Sequence, residues 1–265
     1  MIKKILNKTF SAINKNKSKV LFIFFLQILF FLSLSIIAYN TMIPSMQQAK
    51  TAVDYYDQIK LNESSGMFGY LGEEPLIVYQ SYRNMMYYLR FLAIYAFLAF
   101  IIVNSLTWAV TDSMINKKNL KQYAGYLFNF FLLTSIFSLI VYVLLFNTLK
   151  LSLVEKENAL LSLIGVGIVL IALIHFLLVG FSLIGKRKLK EIAKLTFKIG
   201  ILKSPYLIQV CLINIVIISA LAYLIYLTIE LNLIILSIAA LLFVGSFVFA
   251  RLFLITAVNE LAKKN

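Results

Sequence analysis

The sequence of 265 residues contains a single cysteine, a single histidine, a single tryptophan, three prolines and ten glycines. With only Cys211 present, there is no intramolecular disulfide and no cysteine-based metal site. So little Pro and Gly excludes collagen-like and linker-like material, and the lack of long polar tracts excludes a disordered chain. Acidic residues are scarce as well, with 11 Asp and Glu against 25 Lys and Arg, and all charged types together make up 14%. An average soluble domain is about 25% charged. What fills the chain instead is apolar: 62% hydrophobic residues and a mean hydropathy of +0.91. A water-facing shell cannot be built from that composition, so the solvent for most of this chain is lipid.

Six long apolar runs lie at Val20–Ile43, Tyr88–Thr111, Tyr123–Leu149, Ala159–Gly185, Pro205–Ile229 and Leu231–Ala257. Each is roughly 25 residues long, enough to cross a hydrocarbon core of about 30 Å once as a tilted helix. Backbone groups in lipid must be satisfied within the segment, and β-barrel strands would be short and alternating. The predicted fold is therefore an all-α, polytopic bundle of six transmembrane helices forming one membrane domain over 1–265. The first run is too long for the apolar region of a signal peptide and has no prompt cleavage site, so it reads as an uncleaved signal anchor.

The cations sort by side. All but six of the Lys and Arg fall in the leader 1–19, in the connection at Lys117, Lys118 and Lys121, in the segment 186–204, or at Arg251, Lys263 and Lys264. The six exceptions are Lys50, Lys60, Arg83, Arg90, Lys150 and Lys156, and most of the acidic residues keep them company. The positive-inside rule then places both termini and the basic loops in the cytoplasm, in a cell membrane. These cations hug span ends, so their expected partners are anionic lipid headgroups at the cytoplasmic face rather than nucleic acid.

Outside the spans, the leader 1–19 carries Ile2, Ile5, Leu6, Phe10 and Ile13 at helical spacing among lysines. That is the pattern of an interfacial amphipathic helix. The basic segment 186–204 repeats it, with an i,i+4 pair of Arg187 and Glu191. Either surface would anchor the bundle or dock a cytoplasmic protein such as an ATPase subunit. The remaining soluble piece is an external loop over 44–87, in which the first helix continues or kinks at Pro44 before Gly66, Gly69 and Gly72 break regular structure. Its tyrosines suit an aromatic belt, and Asn62-Glu63-Ser64 is a glycosylation triplet.

Polar side chains within spans are costly and mark candidate sites. Reading from the cytoplasmic ends, each helix offers one at similar depth: Gln27, Asn104, Asn129, His175, Asn214 and Arg251. This layer would line a cytoplasm-facing polar cavity, with Arg251 contacting an anion and His175 responding to protons. The plainer alternative is interhelical glue, with Arg251 snorkelling or paired to Asp112 or Glu260. No carboxylate is expected deep in a span, and no nucleophile elbow, metal pair or phosphate loop occurs. Enzyme chemistry, a cofactor and a metal are therefore not expected. The functional expectation is a transport component, permease-like for a small or amphiphilic solute, or else a non-enzymatic scaffold that organises lipids or partners.

Overall fold

A computed structural model describes residues 2–64, 75–116, 120–154, 159–186, 189–230 and 232–263. The described residues are helical apart from short turns, and none lies in a strand. In chain order the helices are α1 (Ile2–Lys15), α2 (Lys17–Ser64), α3 (Pro75–Ala99), α4 (Ser105–Ile115), α5 (Leu120–Val154), α6 (Ala159–Leu183), α7 (Leu189–Leu202), α8 (Ser204–Thr228) and α9 (Leu233–Ala262). A π-helical turn, Phe100–Asn104, joins α3 to α4 without a break.

Six stretches are long and apolar enough to span a bilayer: Lys17–Tyr55, Leu76–Ile115, Gln122–Leu145, Leu163–Leu183, Ser204–Thr228 and Leu233–Ala262. Each contains most of one apolar run read from the sequence. The first two differ in extent, at 39 and 40 residues, where roughly 20 suffice to cross. The chain expected to form a loop over 44–87 is thus largely helical, with α2 running through Pro44 to Ser64 and α3 starting at Pro75. Around Pro44 the Asn40 and Thr41 side chains donate to the carbonyls of Ile36 and Ile37, at 2.8 and 2.6 Å. The glycine-rich break at Gly66–Gly72 and the Arg187–Glu191 pair lie outside the described residues, as do the side chains of the Asn62 triplet.

The contacts divide the chain into two units: Met1–Ile28 with Val103–Asn265, and Leu29–Ile102. In the first, α1 is amphipathic and folds its apolar face onto α9 and α4. Ile5 and Thr9 are buried there, Phe10 meets Phe249 ring to ring at 5.7 Å, and Lys8 pairs with Glu260. At the α1–α2 junction the Asn16 amide donates to the carbonyls of Ala12 and Met114, and Lys19 Nζ donates to the Ser113 carbonyl. Ile23, Met114, Val248 and Leu252 make a buried cluster beneath this junction. A second core is aromatic: Phe130 stacks on Phe181 at 4.2 Å, and Trp108 meets the same ring at 5.4 Å.

The basic segment forms α7. Ile192, Thr196, Ile199 and Gly200 recur at helical spacing on its buried face, whereas Lys190, Glu191, Lys194 and Lys198 are exposed. Gly200 permits a close approach to α6, since a Cβ there would sit 2.7 Å from the Phe176 ring. In the second unit the described side-chain contacts include aromatic pairs, with the rings of Tyr87, Phe91 and Tyr95 in tilted contact along α3 and Phe30 edge-on to Phe100 at 6.3 Å.

Candidate functional site: a buried arginine between three helices

Helix α4 carries a polar stripe through an apolar sequence. Asn104, Thr107, Trp108, Thr111 and Asp112 recur at i, i+3, i+4, i+7 and i+8, which places them on one face, and all five are buried. The threonines are satisfied within the helix, Thr107 Oγ1 donating to the Asn104 carbonyl at 2.9 Å and Thr111 Oγ1 to that of Thr107 at 2.6 Å. Asn104 closes the π turn. A π turn holds one residue more per turn than an α-helix and so changes which side chains face a neighbour.

Opposite this stripe stands Arg251 of α9, only 8% exposed. Its Nη2 donates to Gln27 Oε1 of α2 at 3.1 Å and to Asn104 Oδ1 at 3.2 Å. Its Cζ lies 5.5 Å from the centroid of the Trp108 ring, in cation–π geometry. Gln27, Asn104 and Trp108 are themselves 3%, 6% and 5% exposed. Two neutral carbonyl oxygens and an indole face therefore hold this guanidinium. Its Nη1 and the Nδ2 of Asn104 are buried donors without a hydrogen-bond partner among the described residues. The surroundings continue to Tyr126 of α5, which is in electrostatic range of both Arg251 and Asp112 and whose hydroxyl donates to the Phe181 carbonyl at 3.0 Å.

Of the six polar residues expected to share a layer, Gln27, Asn104 and Arg251 meet directly. Asn214 joins them from the side, its Nδ2 donating to the carbonyl of Ala250 at 3.3 Å. His175 faces α7 instead, with Nε2 3.3 Å from the Gly200 carbonyl and its ring edge-on to Phe176. Asn129 is half-buried on α5, between the fully buried Tyr126 and Phe130.

Asp112, close to the end of α4, is a carboxylate buried within the protein, 2% exposed, and it accepts from Asn116 Nδ2 at 2.8 Å. Its helix runs past the apolar run to Ile115 and turns this residue inward. One alternative needs correction: Arg251 is not paired to Asp112 or Glu260, since its two hydrogen bonds go to amides and Glu260 pairs with Lys8.

Trp108, Tyr126 and Asp112 escape a reading by depth alone. The stripe spacing on α4 is the signal that finds two of them. Among the described residues no three His, Cys, Asp or Glu side chains converge in a way that would hold a metal. Chemically the centre is a fixed cation with unmatched donors in an apolar surround, suited to receiving an acceptor-rich or anionic group, or to locking three helices in register. Comparison of the chain with protein-family models, with curated proteins and with solved structures gives no match.

Proposed function

We propose that this multi-pass membrane protein is a transport component, permease-like for a small or amphiphilic solute, and that the Arg251 centre receives the solute's anionic or acceptor-rich group. The observation that carries this reading is the pair of unmatched donors, Arg251 Nη1 and Asn104 Nδ2, beside a buried guanidinium. A buried polar group without a partner costs about 1–3 kcal/mol, and more when charged. Such a group is retained where a ligand completes it. By the positive-inside rule, both termini and α7 face the cytoplasm of a cell membrane. The exposed lysines of α7 then offer a surface to anionic headgroups, or to a cytoplasmic partner such as an ATPase.

The test is solvent access. Asn104→Cys, Asn129→Cys and Asn214→Cys, each in a Cys211→Ser background, are exposed to a membrane-impermeant thiol reagent from the cytoplasmic side. Labelling at positions 104 and 214 is expected. Uniform protection would overturn the transport reading and favour the alternative, a non-enzymatic scaffold. One feature speaks for that alternative: the two bonds from Arg251 tie α9 to α2 and to α4, which is what interhelical glue does.

A further inference from the structure

Arginine is rare in this chain. Arg83, Arg90, Arg187 and Arg251 are the only four, and every other strong cation is lysine. Two of the four stand seven residues apart on α3, which puts them on one face two turns apart, at a rise of about 10 Å. A cavity of about 680 Å³ follows this face, and its described lining includes Tyr79, Tyr82, Arg83, Asn84, Tyr87 and Arg90. No carboxylate is among the described lining residues. The polar groups on offer are two guanidinium forks, side-chain amides and phenol hydroxyls, so the lining is rich in donors and doubly cationic.

The two arginines are exposed, so they do not serve as core packing. Tyr87 is held by its neighbours, with its ring 4.6 Å from Phe91 and 5.7 Å from Tyr88. These ring contacts hold Tyr87, which lies between the two arginines along the same helix face. Arginine differs from lysine in presenting a planar pair of donors that matches phosphate oxygens two at a time. Two such forks, with no carboxylate among the described lining residues, suit a phosphodiester. The location narrows its source. Around Arg90 the same helix passes into the apolar run Tyr88–Thr111, and Tyr87, Tyr88 and Tyr95 mark the transition. Tyrosines at such a transition sit at headgroup level.

We propose that the Arg83–Arg90 face of α3 binds the phosphodiester headgroup of an anionic membrane lipid. This site is separate from the Arg251 centre and stands or falls without the transport reading. The test uses the full chain in detergent, titrated with short-chain phosphatidylglycerol and read by native mass spectrometry, with short-chain phosphatidylcholine and inorganic phosphate as comparison ligands. Phosphatidylglycerol is expected to bind more tightly than phosphatidylcholine. Arg83→Gln with Arg90→Gln should weaken it at least about tenfold, the loss expected of one charge-assisted hydrogen bond. Arg83→Lys with Arg90→Lys keeps the charge and the fold, and should still lose part of the affinity because the forks are gone. Lys50→Gln should leave binding unchanged. Equal binding by the double Gln variant and the parent would overturn the proposal. Inorganic phosphate displacing the lipid at low concentration would overturn the lipid source in favour of a free phosphorylated solute.

Discussion

The two units bury polar groups by different means. Among the described residues of Leu29–Ile102 the buried polar side chains are small hydroxyls, Thr41, Ser45 and Ser81. Thr41 bonds to the carbonyl of Ile37 in its own helix. In the unit that holds α9, the buried polar residues include Gln27, Asn104, Asn214 and Arg251, and their bonds run between helices. A hydroxyl can be satisfied by the preceding turn and commits no neighbour. An amide or a guanidinium needs a partner helix, so each one fixes a crossing point and a rotation. Apolar side chains alone do this poorly in lipid, because the solvent is as greasy as the side chains. Among the described residues the two units differ in the type of buried polar group: amides and a guanidinium beside hydroxyls in one, hydroxyls in the other.

The sharpest way to break this contrast is at its centre. Arg251→Ala removes two charge-assisted bonds and the contact with Trp108, and should destabilise the detergent-solubilised protein by about 3–4 kcal/mol. Denaturant titration with a far-UV readout measures this. Trp108→Leu keeps the hydrogen bonds and removes the ring beneath the guanidinium and against Phe181, for an expected loss of about 1–2 kcal/mol. Asn214→Leu removes a single neutral interhelical bond and should cost about 0.6 kcal/mol in the same assay. Lys8→Ala breaks the partly exposed pair with Glu260 for about 0.5 kcal/mol or less, and added salt should erase even that difference. Thr41→Val in the other unit is the smallest, within about 0.5 kcal/mol of the parent. Were Thr41→Val as damaging as Arg251→Ala, the distinction between intrahelical and interhelical satisfaction would fail.

Element type was readable because a bilayer leaves so few choices. Long apolar runs with backbone groups to satisfy must be helices, and six such helices are found. Their ends were less readable: α2 and α3 extend far beyond the apolar core because Gln47–Tyr55 and Tyr79–Tyr87 are polar enough to leave lipid yet contain nothing that stops a helix. At the site, counting residues from span ends gave depth, and depth is what Gln27, Asn104 and Arg251 share. Rotation about the helix axis is the second coordinate, and depth does not contain it. His175 has the depth but points toward α7, and Asn129 falls between the inward-facing Tyr126 and Phe130. Asp112 looked like a rim residue because the apolar run ends beside it, whereas helical phase with Asn104 and Trp108 turns it inward.

The docking of α1 on α9 has a consequence for biogenesis. The Lys8–Glu260 pair and the Phe10–Phe249 contact join an early segment of the chain to a late one. A ribosome working at roughly 5–20 residues per second needs about twelve to fifty seconds between releasing the two. Throughout that interval the greasy side of α1 lacks its α9 surface and has only α4 to rest on within the chain. The rest of that side must shelter on a membrane surface or in the grip of a chaperone until α9 is laid down.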